Sequence, residues 1–168
     1  LTFKELWQAL KRSALDSAVL LVMFIGASLI GLIVTRLHVA DGVVNFMSGY
    51  IHSPALLLLV INIFLLIAGC LIDSTCSIII FTPILMPLIK AFGINEIHFG
   101  VMMVLNLMIG LLTPPMGAIL FVTCKVTELS LKELLKEVWP FILWLLVALG
   151  VVTYVPQTVT WLPSLFIK

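Results

Sequence analysis

Asp73 stands alone in an otherwise uncharged apolar stretch that runs from Pro54 to Ile89. An ionised carboxylate near the centre of a bilayer costs about 2.5–3.5 kcal/mol on insertion scales, so something must compensate it. Two compensations suit the local sequence. One is a bound cation. The other is the N-terminus of a following helix, which Asp73, Ser74 or Thr75 would cap. The two are compatible, because a capped tip also presents free carbonyls. A second polar break, Thr113-Pro114-Pro115-Met116-Gly117, interrupts the apolar stretch from Ile97 to Val126. It removes two backbone donors and offers carbonyl oxygens and one hydroxyl. Hard oxygen ligands of this kind suit an alkali cation, whereas a transition metal would want imidazole or thiolate. The plain alternative is a proline kink. Unwound main chain at membrane depth is tolerated where it is buried in protein or lines a cavity, and there it can hold an ion or a charged solute.

Other polar residues carry more than one reading. Asn106 lies seven residues before Thr113, about two turns down one face. It serves the backbone near the break, a hydrogen bond to a neighbouring helix, or a solute. Arg36 meets an anionic solute or snorkels to the interface at the end of its helix. His38, His52 and His98 sit near segment ends and read as interfacial rather than as ligands. Cys70, Cys76 and Cys124 lie within apolar segments and behave as small hydrophobes, with no disulfide framework or metal-ligand spacing. No Ser/His/Asp constellation and no phosphate-binding glycine loop is present, so the chain reads as a non-enzyme.

The elements that position these residues must be membrane helices. The hydrophobic fraction is 62%, charged residues make up 10%, and the mean hydropathy is +1.29. That composition suits bilayer rather than water, and 168 residues allow several crossings. A net charge of +1 without a basic run gives no sign of nucleic-acid binding. The chain opens on Leu1 with no signal peptide and begins with a charged helical stretch, as an internal fragment does.

Residues 1–13 read as an amphipathic interfacial arm helix, and residues 14–53 as a transmembrane helix and an external connecting segment. The stretch 54–90 is too long for one crossing and too short for two with a turn. A re-entrant helical hairpin with its tip at 69–75 satisfies both length and polarity. Its arms would be about 22 Å long. Pro83 and Pro87 would bend the return arm. Residues 96–127 read as a discontinuous transmembrane helix with its break at 112–117. A second amphipathic surface helix covers 128–137, and a final transmembrane helix covers 138–163. Lys4, Lys11, Arg12, Lys125, Lys132 and Lys136 fall on one side, Arg36, Lys90 and Lys168 on the other. The positive-inside rule makes the first side cytoplasmic.

Gly69-x-x-x-Asp73, Pro83-x-x-x-Pro87, Gly93-Ile94-Asn95-x-Ile97-His98-Phe99-Gly100, Asn106-x-x-x-Gly110 and Thr113-Pro114-Pro115-x-Gly117 occur in that order. As an ordered series they resemble the large membrane subunit of TRAP (tripartite ATP-independent periplasmic) transporters, over its C-terminal part, somewhat under half. The sialic-acid members are the nearest likeness, and C4-dicarboxylate members share the motifs. Glu96 stands where many members have Pro. The resemblance implies an all-α integral membrane fold: half of an inverted-repeat, elevator-type transporter in the bacterial inner membrane. It implies a sodium site with ligands from Gly69, Asp73, Thr113, Met116 and Gly117, mostly through backbone oxygens. Arg36, Ser74, Thr75 and Asn106 are candidates for the solute. The implied partners are the N-terminal half of the subunit, a small membrane subunit, separate or fused, and a periplasmic binding protein that delivers an organic anion. A non-transporting anchor or assembly subunit is the competing reading.

Overall fold

The computed structural model describes residues 3–51, 53–114 and 117–166; His52, Pro115, Met116 and Lys168, singled out above, lie outside them. The described residues form helices and no strand: α1 (Phe3–Arg36), α2 (Val39–Tyr50), α3 (Pro54–Leu71), α4 (Ser74–Ala91), α5 (Glu96–Leu111), α6 (Ala118–Thr127), α7 (Leu131–Tyr154) and α8 (Gln157–Phe166). Within them, Leu6–Arg36, α3, α4 and α7 are long and apolar enough to cross a membrane. A chain with these spans is a multi-pass integral membrane protein.

α5 is the central element. It lies most extensively against α3 and touches α4 and α7 as well, whereas α3 and α4 barely meet along their lengths. The reason lies in the α3 sequence. Leu57, Ile61, Leu65 and Gly69 recur every four residues and form one buried stripe. Phe99, Met102 and Leu107 of α5 fill the opposing face and are completely or almost completely buried. α4 turns instead to α1 and α2.

Three boundaries differ from the sequence expectation. The arm at 1–13 and the first crossing are one continuous helix of 34 described residues. Likewise 128–137 and 138–163 are not separate elements: α7 starts at Leu131 and runs unbroken to Tyr154. Polarity changes at both places, yet neither has the glycine–proline pair that would stop a helix, and α7 continues through Pro140. The stop comes at Val155-Pro156, where Val155 leaves the helical region (φ −119°, ψ 78°), as the clash with a following proline favours. Each hairpin arm has 18 residues, or about 27 Å, longer than expected.

Prolines leave carbonyls without helical donors, and another helix comes close at two such places. Pro83 strips the donor from the Ile79 carbonyl inside α4. α1 approaches there through Gly31, where a methyl group would lie 3.3 Å from the Ile79 oxygen. Pro156 does the same to Val152, and His98 Nε2 of α5 lies 2.7 Å from that carbonyl. A carbonyl only accepts, so Nε2 carries the proton. His98 is therefore a buried helix-to-helix tie, not the interfacial residue its position near a segment end suggested.

Candidate functional site

The hairpin tip is short. The Ile72 amide closes the last helical bond of α3 onto the Ala68 carbonyl at 2.9 Å. The carbonyls of Gly69, Cys70 and Leu71 therefore lie at an open helix C-terminus. Asp73 then caps α4: Oδ1 accepts from the Thr75 amide at 2.9 Å and from the Cys76 amide at 3.4 Å. Asp73 and Thr75 are exposed and Ser74 is buried. The helix N-terminus stabilises the carboxylate, and Oδ2 takes no part in these two bonds.

α3 and α5 run side by side toward this tip. A methyl group on Gly110 would lie 2.7 Å from both Cα and C of Gly69, and one on Gly69 would lie 3.1 Å from the Leu107 oxygen. The main chains are in direct contact, which no larger residue permits. This contact sets the C-terminus of α3 against the last turn of α5, immediately before the polar break.

The break itself folds tightly. The Leu112 and Thr113 amides close short turns on the carbonyls of Ile109 and Gly110, each at 3.0 Å, and the Thr113 hydroxyl donates to Ile109 at 2.8 Å. Pro114 and Pro115 cannot donate to the carbonyls four residues before them, Gly110 and Leu111. A methyl group on Gly117 would lie 2.9 Å from the Leu111 oxygen and 3.2 Å from the Thr113 oxygen. Leu120 Cδ1 lies 3.0 Å from the same point, so two main-chain oxygens and one leucine methyl close around a position that only glycine fits. The donors gathered here are all oxygen, which fits a hard monovalent cation better than any softer metal.

Below the tip runs a polar chain that the sequence reading did not single out beyond Asn106. Asn106 Nδ2 donates to the main-chain oxygen of Asn62 at 3.0 Å and to its Oδ1 at 2.6 Å. Asn62 Nδ2 donates to Thr153 Oγ1 at 2.9 Å, and that hydroxyl donates to the Leu149 carbonyl at 2.7 Å. All three side chains are buried. Asn62 was legible only as an amide inside an apolar run, and Thr153 gave no signal. Asn106 Oδ1 and Ser77 Oγ are buried without a hydrogen-bond partner among the described residues.

The structure therefore brings together Gly69, Gly110 and the start of the break at Leu111–Thr113, with Asp73 two residues beyond α3 and Gly117 folded back on Leu111. Met116 lies outside the described residues. Asn106 sits deeper and is tied to α3. Arg36 stands apart. Gly31, five residues before it, lies at Ile79 and Pro83, and the chain after it leads into α2, whose Val43 and Met47 border Ile84, Leu85 and Leu88.

Comparison with known proteins bears on this arrangement. The family model described as "Tripartite ATP-independent periplasmic transporter, DctM component" matches residues 1–158. The sialic acid TRAP transporter large permease protein SiaM of Vibrio cholerae is 36% identical over 167 residues, covering 99% of this chain and 39% of that protein. The 2,3-diketo-L-gulonate large permease protein YiaN of Escherichia coli is 35% identical over 159 residues, 95% of this chain and 37% of that protein. The C4-dicarboxylate large permease protein DctM of Pseudomonas aeruginosa is 38% identical over 147 residues, 86% of this chain and 34% of that protein. The chain spans well under half the length of each.

Proposed function

The chain belongs to the DctM-component family of tripartite ATP-independent periplasmic transporters, and we propose that it forms one half of a sodium-coupled permease for an organic anion. The family relatives whose names include sialic acid, a diketogulonate and a C4-dicarboxylate support the anion class. The observation that carries the reading is the main-chain contact between Gly69 and Gly110, which joins the hairpin tip to the helix break where the Leu111 and Thr113 carbonyls gather. Sodium entering between the tip and the break takes ligands from Gly69, Asp73, Thr113 and Gly117, and from Met116.

Cation binding ties two loose elements into one rigid block. The solute site is then pre-formed, and ion and solute bind with positive coupling. Each net charge carried inward gains about 2.3 kcal/mol per 100 mV of membrane potential. An anionic solute therefore needs more than one sodium for a net positive load, and the other repeat of the permease supplies the second site. The hairpin is re-entrant and opens to the periplasm. Tip and broken helix move together as the transport unit of an elevator, in the bacterial inner membrane. A small membrane subunit braces the scaffold, and a periplasmic binding protein delivers the solute. Ser74 and Thr75 at the tip are the nearest solute contacts; Arg36 and Asn106 act from farther away.

The test is thermal stability of the purified protein in sodium against potassium at equal ionic strength. Sodium raises Tm in the wild type, and Gly117→Ala, which fills the space facing the two carbonyls, abolishes the difference. Equal Tm in both salts for the wild type returns the chain to a non-transporting anchor.

A further inference from the structure

Lys132, Lys136, Trp139, Leu143 and Val147 of α7 follow one another at spacings of four, three, four and four residues, so they form a single stripe along the helix. All five are exposed. The buried Leu134, Ile142, Leu149 and Thr153 lie outside this stripe, on other sides of the helix. The stripe has two cations at its head, an indole at its waist and aliphatic side chains below. That order of charge, amphipathic ring and hydrocarbon matches one phospholipid molecule standing in a leaflet.

The head of the stripe is concave. Pro114 of the break, with Lys132, Leu135, Lys136 and Trp139, encloses a groove of about 310 Å³. Lys132 is held at this place by the start of the helix. α7 starts at Leu131, behind a capping box in which Ser130 Oγ accepts from the Glu133 amide and Glu133 answers the Ser130 amide. That cap fixes Lys132 in the first helical turn, where the macrodipole disfavours a cation. Among the described residues neither Lys132 nor Lys136 is in an ion pair. The helix end is already met by Glu133, so an anion in the groove answers the two lysines.

From these features we infer that the groove binds the phosphodiester headgroup of an anionic phospholipid, with its acyl chain along Leu143 and Val147. The continuous apolar run below Trp139 favours a lipid over a free anion. Pro114 forms one wall, so the bound headgroup lies against the break. The inference concerns lipid binding alone and stands or falls independently of sodium coupling.

Native mass spectrometry of the detergent-purified protein titrated with phosphatidylglycerol or phosphatidylcholine tests it. The wild type retains phosphatidylglycerol in preference to phosphatidylcholine. Joint Lys132→Gln and Lys136→Gln substitution, which keeps helix propensity, lowers phosphatidylglycerol retention about thirtyfold, the scale set by losing two surface charges. Joint Lys11→Gln and Arg12→Gln substitution, in another basic stretch, leaves retention within about twofold. Unchanged retention in the α7 variant overturns the inference. So does equal retention of phosphatidylcholine by the wild type, or an equal loss in the Lys11/Arg12 variant. Displacement of the lipid by excess inorganic phosphate overturns it in favour of a free-anion site.

Discussion

A methyl group on Gly110 would lie 2.7 Å from the Cα of Gly69, so α3 and α5 touch main chain to main chain one turn short of the polar break. Small residues at a helix crossing are the usual way that membrane helices gain close van der Waals contact. Here the crossing also fixes how far apart the hairpin tip and the break are held.

Gly110→Ala forces that crossing open. Overpacking of this kind costs about 1–3 kcal/mol, and the variant unfolds at lower denaturant concentration in detergent. Gly100 in the same helix is the internal control, because a methyl group there meets nothing within 4 Å. Gly100→Ala is neutral or stabilising by up to about 1 kcal/mol through helix propensity. Equal destabilisation by both substitutions would mean that the crossing is not the cause.

The Asn106–Asn62–Thr153 chain predicts strong non-additivity. Asn62→Leu leaves Asn106 Nδ2 and Thr153 Oγ1 short of partners, and Asn106→Leu leaves the Asn62 side chain half satisfied. Each single change costs about 1–3 kcal/mol. The double variant removes both polar partners together and costs less than the sum. A double-mutant cycle read by denaturation measures the coupling; additive losses would mean that the two amides do not bond.

His98 offers a rescue experiment. Its Nε2–H serves the Val152 carbonyl only because Pro156 cannot. His98→Leu therefore destabilises the wild-type chain by about 1–3 kcal/mol, the cost of an unmet buried carbonyl. In a Pro156→Ala background the residue 156 amide closes on Val152, and His98→Leu becomes nearly silent. An undiminished loss in that background, measured by thermal unfolding, would count against this account.

These cases mark where sequence reasoning stops. Asp73, the proline pairs and the glycines flanking the break are visible in one dimension because charge in an apolar run and missing donors are local facts. The partner of each orphaned group is not local: His98 answers a carbonyl 54 residues away, and Asn62 reaches a hydroxyl 91 residues away. The ends of α1 and α7 were misread for a different reason. The change from charged to apolar residues near Ser13 and Val138 marks a change of surroundings. Near Ser13 nothing removes a backbone donor or demands a positive φ, and near Val138 the one lost donor, at Pro140, does not stop the helix, so the helix does not register the change.

Asp73 carries the most informative substitution, because the two roles open to it separate cleanly. As a cap, its Oδ1 accepts two amides at the start of α4. Asparagine caps as well as aspartate, whereas alanine loses about 0.5–2 kcal/mol. As a cation ligand, its charge is what matters, and asparagine lacks it. Asp73→Asn is therefore expected to keep the wild-type Tm in potassium while losing the extra stabilisation by sodium and most sodium-driven uptake in proteoliposomes. Asp73→Ala loses both. If Asp73→Asn retains sodium-driven uptake, the carboxylate serves α4 alone, and the cation must be held by main-chain oxygens at the break without it.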